Sequence, residues 1–227
     1  REIGIGIIGG GYMGKAHAVA LSAVGPLFET ALRPRLEVIA ATTPASGTRK
    51  KIALLGTVNF THSHTQHFID RLLLGYGWRG EWRKPAVDLV SLYIDQFPTT
   101  DLTRARAKQY EVPIFPSIRE ALGRGGPGLA VDGVVIIGEH GEYPVNERGQ
   151  RLYPRHTWFK EVVRVFEQAG RAVPVFNDKH LSTDWAQCEE MVADSVRLGF
   201  PLLAGSSLPT TWRLPAIDIP RGTPLKE

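Results

Sequence analysis

The chain is poor in the residues that would mark it for several function classes. It holds one cysteine, Cys188, among 227 residues. Neither an intrachain disulfide nor a thiolate metal cluster can be built from it within one chain. Such usage fits a reducing compartment, and a cytoplasmic location is the expectation. No apolar run approaches the roughly 20 residues that a membrane-spanning helix needs. A dense basic stripe is missing as well. The formal net charge is +4, and the longest basic run is the triplet Arg49-Lys50-Lys51. Nucleic-acid surfaces cluster Lys and Arg with aromatics between them, so neither nucleic acid nor membrane is an expected partner. Global disorder is excluded, since 43% of the residues are hydrophobic and 22% charged, as in ordinary globular domains.

What is present is alternation. Ile3 to Ile8 reads as a short apolar strand, and the opening is not that of a signal peptide. A glycine cluster follows, then a helical stretch through Met13, Ala16, Ala20 and Val24 that Gly25-Pro26 ends. Leu36 to Ala41 reads as a second buried strand, and Thr42 to Lys51 as a linker. The pattern then restarts. Strands are expected at Lys51 to Val58, Val87 to Ile94, Val112 to Phe115, Val131 to Gly138, Val173 to Phe176 and Leu202 to Gly205. Helices are expected at Thr65 to Gly75, Asp101 to Tyr110, from Ser117 onward, His156 to Gly170 and Asp184 to Gly199. Asp101 and Ser117 are placed as caps, with Glu120 three residues after Ser117. Short apolar strands alternating with helices predict an α/β fold, a doubly wound, mostly parallel sheet of Rossmann type. Residues 1–49 form an extra N-terminal βαβ unit on this reading, residues 50–207 the main domain, and 208–227 a Pro-rich tail.

The turn Gly9-Gly10-Gly11-Tyr12-Met13-Gly14 contains G-x-G-x-x-G after a strand and before a helix. Gly9 permits the tight turn, Gly11 lets a pyrophosphate approach the backbone, and Gly14 lets helix and strand pack closely. The helix N-terminus offers free N–H groups to phosphate. The turn therefore predicts NAD or NADP as cofactor, held by Gly9, Gly11, Tyr12, Met13 and Gly14, with Thr42 at the ribose. The second strand ends Ala41-Thr42-Thr43, where NAD-binding sites carry a carboxylate. With Arg49 and Lys50 nearby, the balance leans to NADP.

In a doubly wound sheet the loops that follow strands share one edge, where ligands bind. His62, His64, His67, Asp95, Glu139, His140, the run Asn177-Asp178-Lys179-His180, Ser206 and Ser207 fall there. Two chemistries fit these residues: imidazoles and carboxylates holding a metal, or Lys179 and His180 moving protons during hydride transfer. Ordinary loop polarity and capping is the third reading. Trp78, Arg79, Trp82 and Arg83 sit in an insertion after a helix, expected to pack on the core edge rather than to form a lid. Cys188 lies within a helix and is expected to be inert.

These residues resemble the glucose–fructose oxidoreductase and inositol dehydrogenase family, in two pieces. Residues 1–42, with Gly9, Gly11, Gly14 and a following His17, look like that family's opening βαβ unit. Residues 51–207 look like a relative's whole nucleotide-binding domain. Val131-Asp132-Gly133-Val134-Val135-Ile136 resembles its strand before the nicotinamide-side loop, and Asn177-Asp178-Lys179-His180-Leu181-Ser182 its Glu-Lys-Pro motif. The resemblance implies that Lys179 is the catalytic lysine, beside His180. It implies an oxidoreductase acting on a carbinol carbon of a sugar, cyclitol or related polyol. The chain departs from the pattern in three ways. Asp178 and His180 stand where the family has Glu and Pro. The second unit, Leu55-Gly56-Thr57-Val58-Asn59-Phe60-Thr61-His62, lacks G-x-G-x-x-G. The family's second domain, which brings a further catalytic His, is not seen. A non-catalytic nucleotide- or sugar-binding module is thus the alternative, and a metal-assisted hydrolase or isomerase using His62, His64, Asp95, Glu139 and His180 the second. A small-molecule substrate is the expected partner, and unsatisfied sheet edges invite a homo-oligomer.

Overall fold

The computed structural model describes residues 2–8, 33–40 and 49–206. The turn Gly9 to Gly14, Thr42 and the Pro-rich tail lie outside the described residues. Two strands, β1 (Glu2–Ile8) and β2 (Arg33–Ala40), pair with each other in parallel and form a two-stranded sheet of their own. They do not extend the main sheet, one of the arrangements open to them on sequence.

The main sheet has five parallel strands: β3 (Lys50–Gly56), β6 (Val87–Ile94), β7 (Gly133–Ile137), β8 (Val175–Asp178) and β9 (Leu202–Gly205). Their order is β6-β3-β7-β8-β9. A parallel bridge between Leu92 and Ile114 adds one more position beyond β6. Read across the sheet, the chain segments therefore come third, second, first, fourth, fifth and sixth. This is the full doubly wound order, and it reverses direction between β3 and β7.

Two-residue periodicity sends alternate side chains to opposite faces, and both faces are covered. Ala53, Leu55, Val134, Ile136 and Val175 pack with Ile118, Ala121 and Leu122 of α3 (Ile118–Gly123), with Trp158, Phe159, Val162 and Phe166 of α4 (Arg155–Ala169), and with Met191 of α5 (Trp185–Leu198). On the other face Leu54, Leu92, Ile94 and Ile137 meet Ile69 of α1 (His64–Leu74). The remaining helix, α2 (Thr103–Tyr110), begins where the Asp101 carboxylate accepts from the Thr103 and Arg104 amides. Ser117 and Asp184 cap α3 and α5 as their sequence positions suggest. Gly170 and Gly199 end α4 and α5 in the left-handed region, at φ 62° and 67°.

Two expectations are corrected. The strand Val112 to Phe115 shrinks to the single bridge at Ile114, because Pro113 and Pro116 have no N–H to give a ladder. The tryptophan insertion forms a small antiparallel hairpin, β4 (Tyr76–Trp78) with β5 (Glu81–Arg83). Trp82 is 67% exposed there, tied only at its edge by an indole N–H to the Leu74 carbonyl at 2.9 Å, so it does not pack on the core.

Candidate active site

The carboxyl ends of β3, β7 and β8 bring imidazoles and carboxylates together beside the point where the winding reverses. Asp178 ends β8, and His64 opens α1 directly after the turn that follows β3. His64 Nδ1 lies 2.6 Å from Asp178 Oδ2. A carboxylate oxygen accepts, so the proton sits on Nδ1 and the lone pair of Nε2 is left available. His140, in the loop after β7, sets its ring edge-on to His64 and to Phe60, each with centroids 5.4 Å apart. Burial pushes the His140 imidazole below its ordinary value, and the neighbouring His64 and Lys179 push the same way against Glu139 and Asp178. Its Nε2 is buried without a hydrogen-bond partner. A neutral imidazole with an unused ring nitrogen is thus held against a histidine–aspartate pair.

A second cluster lies next to it. Arg155, the first residue of α4, is 2% exposed. Its side chain crosses under Gly138, where an added Cβ would stand 2.6 Å from Arg155 Cγ. The guanidinium donates to Glu139 Oε2 at 2.5 Å and faces His180 Nε2 at 3.0 Å. It also lies over the Tyr153 ring, 4.9 Å from its centroid. An arginine N–H can only donate, so His180 Nε2 accepts and its proton sits on Nδ1. Burial and the Arg155 charge both lower the His180 pKa. The contact with Arg155 occupies His180 Nε2 and leaves its Nδ1–H as the donor. Asn177 is fully buried; its amide N–H groups tie down the Asp178 and His180 carbonyls.

Lys179 follows β8 in the left-handed region, at φ 68°. Its amide donates to the Gly205 carbonyl at 3.2 Å, and its carbonyl accepts from the Gly205 amide at 2.8 Å. The loop backbone is thus pinned to the end of β9, with the ammonium charge close enough to act on His140. His62 and His67 are exposed, while Cys188 is half-buried in α5, as its helical position implies.

Sequence reasoning missed Asp95 as the carboxylate after the second strand of the main sheet, having looked for it after β2. Its two oxygens accept from two tyrosines, Tyr93 at 2.9 Å and Tyr143 at 2.6 Å. A groove of about 560 Å³ opens beside it, lined by Phe97, Arg104, Ile114 and Phe115 among others. The turn after β3 carries Val58, 3% exposed, where the fingerprint wants its second glycine. The amides of Phe60, His62, Ser63 and Gln66 are all bonded inside the turn and the first turn of α1. With Val58 in place of the second glycine, the turn after β3 does not match the pyrophosphate cradle of the fingerprint.

Of the residues considered for a metal, His64 Nδ1 lies on Asp178, Glu139 and His180 contact Arg155, Asp95 accepts from Tyr93 and Tyr143, and His62 is exposed. Among the described residues no three His, Cys, Asp or Glu side chains group as a metal site. Arg49 sits at the amino end of β3, with its guanidinium bonded to Asp88, Pro85 and Val87.

Comparison with protein-family models gave no match, and comparison with curated proteins gave none. Solved structures do match in part. A dehydrogenase (MviM) from Clostridium difficile is 16% identical, with 70% of this chain and 39% of that one covered and a TM-score of 0.44. For a myo-inositol 2-dehydrogenase from Lactobacillus plantarum the values are 14%, 70%, 36% and 0.43. A Gfo/Idh/MocA family oxidoreductase from Vibrio cholerae gives 22%, 69%, 38% and 0.44. The chain thus spans less than two fifths of these structures' length. The Rossmann-type fold itself rests on the strand order above. No helix among the described residues is long and apolar enough to cross a membrane.

Proposed function

We propose that the chain is an oxidoreductase-type Rossmann protein that binds NAD or NADP and handles a proton on the oxygen of a small hydroxyl- or carbonyl-bearing substrate, of the sugar, cyclitol or polyol class. The observation that carries this reading is the His64–Asp178 pair at the carboxyl edge, 2.6 Å apart. Asp178 keeps the proton on Nδ1 and stabilises the ring when Nε2 takes up a second one, which makes Nε2 a base toward a hydroxyl in the crevice. His180, fixed by Arg155, offers a Nδ1–H to a substrate oxygen. The Lys179 ammonium supplies positive charge where an alkoxide would develop. The dinucleotide is assigned on sequence to the turn Gly9, Gly11, Tyr12, Met13 and Gly14, with Thr42 beside it.

Turnover on a polyol panel with NAD and NADP tests the reading. Asp178→Asn should lower kcat about 100-fold or more, as expected when an oriented base is disabled, with nucleotide affinity unchanged. Turnover that survives Asp178→Asn would remove the pair from the reaction. A second reading, a nucleotide- or sugar-binding module without turnover, is favoured by the closed turn after β3. Saturable binding with no turnover on the whole panel would select it.

A further inference from the structure

We infer that the β4–β5 hairpin is a docking surface for single-stranded nucleic acid, with the Trp82 indole as its stacking face and the basic side chains around it as phosphate contacts. The inference does not depend on the catalytic reading above.

The hairpin stands apart from the candidate active site. α1 starts at the carboxyl edge with His64 and runs for 11 residues, a rise of roughly 16 Å. β4 follows it directly, so the hairpin lies at the opposite, amino edge of the sheet. Across the hairpin Tyr76 pairs with Arg83, Gly77 with Trp82 and Trp78 with Glu81. Alternation along the strands puts Tyr76 and Trp78 on one face and Trp82 on the other. The position opposite Trp82 is Gly77, where an added Cβ would meet nothing within 4 Å. The indole is 67% exposed, yet its N–H is held by the Leu74 carbonyl at 2.9 Å. Gly75, at φ 100°, makes room for that contact, since a Cβ there would stand 2.9 Å from Trp82 Nε1. A large flat ring is thus fixed by its edge with its face open to solvent. Stacking a second ring on it costs little further side-chain entropy.

Charge decides which rings the surface fits. Arg79 turns the hairpin with its guanidinium 5.9 Å from the Trp78 ring centroid, and Arg83 and Lys84 follow Trp82 directly. The acid within this segment, Glu81, is bonded to Arg83 at 2.7 Å. Arg49 donates to the Pro85 and Val87 carbonyls, tying the base of the hairpin to the start of β3. Lys50, with its ammonium 3.9 Å from Asp132, and Lys51 therefore stand at the same edge. An exposed ring among cations is complementary to an anionic chain that itself carries flat rings. Single-stranded nucleic acid is such a chain, and its bases stack on aromatic side chains with little regard to sequence. A duplex keeps its base faces inside its own stack, and an acidic polysaccharide brings charge without planar rings. The expectation against nucleic acid rests on how Lys and Arg are scattered along the chain; the fold gathers several of them around exposed aromatics.

The test is fluorescence anisotropy of the full chain titrated onto a fluorescein-labelled oligothymidylate of about 12 nucleotides, with a duplex of the same length and heparin as the other two probes. We expect saturable binding to the single strand, weaker by about fivefold or more for the duplex and for heparin. Trp82→Ala should weaken single-strand binding about tenfold, the worth of one stacked base. Trp82→Phe keeps a stacking face and should stay within about threefold of the wild type. Trp185→Ala removes an indole that is 77% exposed on α5 and should leave binding unchanged. Arg79→Gln combined with Lys84→Gln should flatten the slope of log Kd against log salt by about 1.4, two phosphate contacts' worth. The inference is overturned by no saturable binding to the single strand, by duplex or heparin bound as tightly as the single strand, or by binding that survives Trp82→Ala. A loss in Trp185→Ala equal to that in Trp82→Ala would overturn it as well.

Discussion

Replacing Arg155 by Met keeps most of the side chain's volume and removes the guanidinium from a place where it is 2% exposed. Two partners lose it together. Glu139, whose side chain is 22% exposed, keeps a carboxylate with no cation, and His180 loses the donor at its Nε2. Removing one partner of a buried pair usually costs about 3–5 kcal/mol. Partial hydration of Glu139 places this case near the lower end, about 3 kcal/mol. For a chain of this size that is a fall in Tm of roughly 6–12 °C. Denaturant melts of Arg155→Met, Glu139→Gln and the double variant measure it. The double variant should recover about half of the loss, because no charge is then stranded. An NMR titration should also show the His180 pKa rising in Arg155→Met, since the guanidinium helps to hold it down. A loss under about 1 kcal/mol with additive single effects would refute the buried pair. An unmoved His180 titration would refute the tautomer argument.

Three further outcomes follow from other parts of the molecule. His140 and His180 both have folded pKa values pushed below the ordinary 6.5, first by burial and then by positive neighbours. The unfolded chain therefore binds these protons more readily, and stability should fall as pH drops below about 6.5; a pH series of denaturant melts showing a rise would contradict both shifts. Gly138→Ala forces a Cβ to within 2.6 Å of Arg155 Cγ and should cost about 1–3 kcal/mol in denaturant melts, while Gly128→Ala meets nothing within 4 Å and should stay within about 0.5 kcal/mol. Asp194, with a side chain 9% exposed, joins Lys160 of α4 to Arg197 of α5, so Asp194→Asn should lower stability by about 1.5–3 kcal/mol in the same assay.

The fold was legible because its signals are local. Asp101, Ser117 and Asp184 announce helix starts, Gly170 and Gly199 helix ends, and short, mostly apolar, β-branched runs such as Val87–Ile94 read as strands. The site was legible in part. Position after a strand singled out His64, Glu139, Asp178, Lys179 and His180, and the strand order explains why they converge. Position could not assign their partners. Arg155 read as no more than the flank of a helix, since its burial needs a missing Cβ at Gly138, 17 residues earlier, and an anion at Glu139. Asp95 and Tyr143 are 48 residues apart, and the loop after β7 brings them together across β3. On sequence the second unit, Leu55 to His62, only lacks G-x-G-x-x-G. In space that unit is the first position of a complete sheet, and Val58 is a buried residue of it.

Backbone strain separates the structural from the functional parts of the edge. Among the described residues, six other than glycine have positive φ: His62, Arg79, Glu111, Arg124, His140 and Lys179. Three have plain local reasons. Glu111 and Arg124 end α2 and α3, where a left-handed residue satisfies helix carbonyls, and Arg79 turns the β4–β5 hairpin. The other three cap nothing. They stand on the loops after β3, β7 and β8, the two strands at the reversal of winding and the next one along. A left-handed conformation costs an ordinary residue about 1 kcal/mol or more, and it persists only where surrounding contacts hold it. Around His140 and Lys179 those contacts are the Phe60 and His64 rings and the two backbone bonds to Gly205. Random loop drift would scatter such residues over the surface. Their concentration here, beside the histidine–aspartate pair and the unpartnered His140 Nε2, puts the strained backbone at the edge where the proposed site lies.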